Sequence, residues 1–245
     1  MKLGLKLLSF LLLVGCASKK EDFKTRTVDG IYNKARSLLK GGEYTDAASE
    51  FKDIETLFPY SSKANEGQIM AAYCYFLASD YLSATREIEV FLRYHPSHEF
   101  VPYAMYLKAM CIYMQVVSLG RDSRAAMDAK HAFVELANKF PDSEYYRDAL
   151  KRIIILDDII AAHEMAIGRY YQKNRSHLAA TGRYMFVSSQ LSSTKYAEEA
   201  LYRIVECCYA LGLKEEAKDA YRALKSDLPS SSWTKKAELL IKKII

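Results

Sequence analysis

A spaced triplet recurs five times along these 245 residues, and few folds accommodate it. Ala47, Phe51 and Pro59 set the pattern: a small residue, an aromatic four later, and a proline eight beyond that. Ala84, Ile88 and Pro96 repeat it, as do Ala129, Phe133 and Pro141, and Ala217, Tyr221 and Pro229. Ala180 and Tyr184 repeat it once more, with Ser192 in the proline's place. Residues four apart share a helix face. The alanine admits a close neighbour, the large residue fills the space beside it, and proline stops the helix at a fixed point.

Successive anchors at 59, 96, 141, 192 and 229 are separated by 37, 45, 51 and 37 residues. The shorter spacing is near the period of about 34 residues of tetratricopeptide helix pairs. The fold expected is all-α: a right-handed superhelix of five tetratricopeptide-like pairs closed by a terminal helix, Ser231 to Ile245. Cys74, Cys111 and Cys207 each stand fifteen residues after an anchor, in apolar surroundings. That marks small packed positions on the first helix of a pair, too far apart for disulfides, which need Cα atoms within about 7 Å. Turns are expected at Gly41-Gly42, Ser79-Asp80 and Leu211-Gly212-Leu213. The eight extra residues of the third repeat are expected in a longer turn around Ser118 to Asp122. The fourth repeat is fourteen longer, about four helical turns, and Glu144 to Tyr171 lacks proline, so one long helix is expected there.

The N-terminus has a different character. Lys2 and Lys6 precede the apolar run Leu7 to Val14, which is of signal-peptide length and shorter than the roughly 20 residues that span a bilayer. Leu13-Val14-Gly15-Cys16 resembles a bacterial lipobox, so residues 1–15 read as a cleaved lipoprotein signal and Cys16 as the acylated residue. More than one acyl chain gives stable anchoring. Residues 16–28 are polar and read as a tether, and 29–245 as the repeat domain. Ala17 and Ser18 follow the cysteine, without the aspartate that retains some lipoproteins at the inner membrane, which implies the outer membrane and a periplasmic domain.

Removal of Lys2 and Lys6 lowers the formal charge from +5 to +3. With no basic run, nucleic-acid binding is discounted, and no cofactor motif is present. His95 and His98 flank a proline turn without a third ligand nearby, and Cys207-Cys208 are adjacent rather than spaced as a redox pair. Enzyme chemistry therefore has no converging set of residues. What remains is surface. The 19 tyrosines include Tyr73, Tyr75, Tyr103, Tyr106, Tyr113, Tyr145, Tyr146, Tyr170 and Tyr171 on first helices. Taken singly each is more often core than interface, but the set is too numerous for all to be core.

Four stretches carry a family resemblance: PSHEFVPYAMYLKAM (96–110), GRDSRAAMDAKHAF (120–133), FPDSEYYRDALKR (140–152) and, most specifically, AHEMAIGRYYQKNRSHLAATGRY (162–184). Together with the lipobox they resemble the BamD (ComL) family, lipoprotein subunits of the outer-membrane β-barrel assembly machinery. The resemblance implies a non-enzymatic adaptor whose C-terminal repeats bind BamA, the barrel insertase, beside other assembly-complex lipoproteins. Its N-terminal repeats are implied to receive unfolded barrel proteins. It assigns Arg183, Tyr170 and Tyr171 to the partner-binding region, and Tyr73 and Tyr75 to the substrate groove. A secretin-piloting lipoprotein would share the lipobox and repeats but should lack the His163 to Tyr171 stretch. A lipoprotein transglycosylase would need a further lysozyme-like domain, for which no residues are left.

Overall fold

The computed structural model describes residues 26–119, 123–227 and 229–243, and among them every regular element is an α-helix. In chain order these are α1 (Val28–Gly41), α2 (Tyr44–Leu57), α3 (Ala64–Leu77), α4 (Tyr81–Tyr94), α5 (Val101–Leu119), α6 (Ser123–Lys139), α7 (Tyr146–Lys173), α8 (His177–Gln190), α9 (Ala197–Leu211), α10 (Lys214–Asp227) and α11 (Ser232–Ile241). Each helix packs on the next, giving five stacked pairs, and α11 closes the array against α9 and α10. No helix among the described residues is long and apolar enough to cross a membrane.

The triplet forms the core. Ala47, Phe51, Ala84, Ile88, Ala129, Phe133, Ala180, Tyr184 and Ala217 are all fully buried, with Tyr221 partly covered near the end of the array. Cys74, Cys111 and Cys207 are buried opposite them. One turn design joins the two helices of four pairs. The fifth residue before each alanine, Gly42, Ser79, Arg175 or Gly212, has φ between 61° and 81°. In each, that residue and the next donate their amides to the carbonyls three and five residues back, as in Gly42 to Leu39 and Glu43 to Leu38. The turns between pairs are equally uniform. Ser192, lacking the proline ring, keeps the bonds of its neighbours: Leu191 to Val187, Thr194 to Leu191 and Ala197 to Thr194.

One expectation is corrected. The eight extra residues of the third repeat lengthen its helices rather than its turn. α5 has 19 residues and α6 has 17, against 14 in each of α3 and α4. Both arrangements preserve anchor spacing. The turn residues 120–122 lie outside the described residues. The first repeat is joined by the residues just ahead of α1. Arg26 is already fixed, its guanidinium paired with Glu50 and Asp53 of α2, and Thr27 accepts the amide of Gly30 as the N-cap of α1. The signal segment and Cys16 lie outside the described residues. The fourteen extra residues of repeat four are, as expected, all in α7, which is 28 long.

Candidate docking surface

α8 presents two stripes. Its inner stripe, Ala180, Tyr184 and Val187, is buried against α7 and α9. Tyr184 fits because α7 carries Gly168 opposite: a Cβ there would stand 2.5 Å from Tyr184 Cε1. The Tyr184 hydroxyl completes the seat by donating to Gln172 Oε1 at 2.9 Å. The outer stripe, Leu178, Gly182, Met185 and Phe186, recurs at helical spacing and faces solvent, with Leu178 73% and Met185 56% exposed. At the equivalent positions α2 carries Thr45, Ser49, Lys52 and Asp53 and α10 carries Glu215, Asp219 and Arg222, whereas α6 has half-buried Met127 and Val134 beside His131 and Glu135. Helix α4 shares the apolar character, exposing Leu82, Val90 and Tyr94.

Arg183 borders the outer stripe. One of its guanidinium nitrogens donates to Glu164 Oε2 of α7 at 3.1 Å, and its side chain stays 45% exposed while that of Glu164 is 6% exposed. Around this pair Met127 of α6 and Ala179, Gly182 and Phe186 of α8 line an open recess of about 350 Å³. A Cβ at Gly182 would meet nothing within 4 Å. The first half of α7 packs on α6 and runs on beyond the end of α8, leaving Leu150 and Ile154 exposed on the face that α8 covers further along. The result is an apolar surface beside the half-exposed Arg183.

The residues named from sequence do not all gather here. Tyr171, seven residues after Glu164, lies on the same face of α7 and is half-buried against the core. Tyr170 is 66% exposed but about 120° round the helix, away from Arg183. Its ring meets Tyr171 edge-on at 5.9 Å. Tyr73 and Tyr75, two apart and so turned about 200° from each other on α3, are both half-buried against the core. Tyr75 lies near Lys52, whose pKa is raised first by its hydrogen bond to Glu87 and to a lesser degree by this phenol. Tyr73 belongs with Tyr103, whose pKa is raised by burial and by the neighbouring phenols of Tyr73, Tyr145 and Tyr106. Tyr106 and Tyr145 stack at 5.0 Å, Tyr106 donates to Asp148 at 2.8 Å, and Arg152 lies 4.7 Å over Tyr113. An aromatic strip thus crosses the first helices of successive repeats. Of the nine tyrosines singled out from the sequence only Tyr170 is exposed and only Tyr113 is buried; the rest are half-buried.

His95 and His98 pack against Phe91, and His98 Nδ1 accepts the Phe100 amide, which accounts for both rings structurally. Burial raises the thiol pKa of Cys74 and Cys111 to about 12 and that of Cys207 to about 11. At neutral pH these are packing groups, not nucleophiles. Sequence reasoning missed Glu164, Gly182 and the stripe from Leu178 to Phe186. The signal was available in the stripe: apolar residues at 178, 182, 185 and 186 lie opposite a face already filled by 180, 184 and 187.

Five helix pairs, a small-to-large core repeat and an apolar face with one cation define a helical-repeat scaffold. Comparison with known proteins places it more narrowly. The family described as "YfiO: Outer membrane lipoprotein" matches residues 24–224, and the chain belongs to that family. A relative from Rickettsia prowazekii, "Outer membrane protein assembly factor BamD", is 35% identical over 243 residues, covering 97% of each chain. Proteins of the same description from Caulobacter vibrioides and Neisseria meningitidis are each 33% identical, over 90% and 84% of this chain and 74% and 81% of theirs. A kinesin light chain repeat protein from Podosopora anserina superposes with a TM-score of 0.38 and 12% identity over 83% of this chain and 97% of that one, too distant to add to the architecture read from the helices.

Proposed function

We propose that this protein is a non-enzymatic assembly factor for outer-membrane β-barrel proteins. It docks a BamA-type insertase through its third to fifth repeats while its first repeats receive unfolded barrel segments. The family and the names of its relatives support the assembly role. One observation carries the docking site: the outer face of α8 exposes apolar side chains around Gly182 and Arg183 where α2 and α10 are polar. Exposed apolar surface beside a half-exposed arginine is the composition of an interface core. The bare ridge of Leu150 and Ile154 on α7 extends it. Tyr171 supports this face from beneath, and Tyr170 serves a contact on the other side of α7.

For incoming chains the reading favours the strip of Tyr73, Tyr103, Tyr106 and Tyr145, which offers rigid rings with polar tips to an extended segment. Tyr75 acts as a packing residue behind it. Cys16 is acylated and holds the domain at the periplasmic face of the outer membrane, beside other lipoproteins of the assembly. Residues 1–15 are removed.

The reading is tested by affinity capture from detergent-solubilised membranes with tagged wild type and Arg183→Glu. Wild type should recover the barrel insertase, and the reversal should lose it with helical content unchanged by circular dichroism. Recovery of a secretin instead, or of no barrel protein, would overturn it.

A further inference from the structure

Glu164 is the one acidic side chain nearly buried among the described residues, and its only partner there is Arg183. A carboxylate taken from water needs compensation, and the half-exposed guanidinium supplies it. The dependence is unequal. Arg183 spends one nitrogen on Glu164, while a guanidinium carries five N–H donors in a fixed planar fork. The remainder of that fork has no acceptor among the described residues and lies at the mouth of the recess between Met127, Ala179, Gly182 and Phe186. An unrestrained arginine at this position would sample many rotamers and lose entropy on docking.

We infer that Glu164 is the positioning residue of the docking face, fixing the Arg183 guanidinium so that its free N–H groups are presented to a carboxylate of the partner. The inference rests on the docking proposed above. Glu164 contacts no partner itself. It acts through Arg183, and the partner completes an acid–arginine–acid row at the edge of the apolar recess. The role differs from a structural one in a measurable way. A residue that only stabilises helix packing affects docking whether or not Arg183 is present. A residue that acts through Arg183 has no effect once that side chain is gone.

The test is a double-mutant cycle on full-length protein, with affinity for the purified barrel insertase and thermal midpoint both measured. Glu164→Ala should weaken insertase binding about tenfold in wild type and by less than about twofold in the Arg183→Ala background. Glu164→Gln, which keeps an oxygen to accept from Arg183, should retain affinity within about threefold of wild type. The midpoints should order differently: Arg183→Ala strands a buried carboxylate and lowers the midpoint, and adding Glu164→Ala restores part of the loss. Equal weakening in both backgrounds, or none in wild type, would overturn the inference while leaving the docking site in place. Absence of insertase binding by wild type would overturn the docking site and this inference with it.

Discussion

Two glycines within fifteen residues of Arg183 do opposite work, and single substitutions separate them. Gly168 exists for a neighbour within the chain, since a methyl there would press on the Tyr184 ring, itself fully buried. Gly168→Ala should therefore destabilise the protein by about 1–3 kcal/mol, the usual result of overfilling a packed core, as read by denaturant titration. Gly182 has open space where its Cβ would be, so nothing in the chain calls for glycine in mid-helix. Gly182→Ala should stabilise by about 0.5–1 kcal/mol in the same titration. Gly182→Phe should leave the fold intact yet fill the recess and abolish capture of the insertase. If the phenylalanine variant captures normally, the recess is not where the partner sits. The burial of Tyr184 was legible from its place in the triplet, but its seat on Gly168 was not. Seeing that seat requires knowing how the two antiparallel helices register.

At the scale of elements, the turn within each pair rewards one residue type and receives it only twice. Gly42 and Gly212 occupy the left-handed position freely, while Ser79 and Arg175 hold φ 61° with a side chain attached. Left-handed backbone costs about 1 kcal/mol for such residues. Ser79→Gly and Arg175→Gly should each raise stability by several tenths to about 1 kcal/mol, measured as a shift in thermal midpoint, whereas Gly42→Ala should lower it. Element order was largely readable in advance, because an alanine, an aromatic and a proline at fixed offsets state where a helix packs and where it ends. The distribution of the third repeat's extra residues was not readable, since a longer turn and longer helices give the same anchor spacing. The different surroundings of Tyr73 and Tyr75 have a simpler reason. Two residues of advance turn a helix through about 200°, so proximity in sequence placed them on opposing sides.

For the whole molecule, the array behaves as one stack in which buried thiols report on the fold. Native Cys74, Cys111 and Cys207 keep their protons far above the ordinary thiol range, because burial penalises the thiolate. Each group's pKa is raised in the folded state, so its contribution is complete below the unfolded value near 9 and is lost as pH rises toward about 11 to 12. Stability should fall between pH 9 and 12, with these thiols resisting alkylation at pH 7.5 until the protein unfolds. Rapid native labelling at those positions would contradict the packing described.

The central claim, that the outer face of α8 is where the barrel insertase docks, is tested most directly by photocrosslinking in intact membranes. A benzophenone side chain would replace Met185, 56% exposed on that face, and separately Asp219, exposed on the polar outer face of α10. The account predicts an adduct with the barrel insertase from position 185 and none from position 219. Adducts from 219 alone, or from 185 only to some other protein or to lipid, would contradict it.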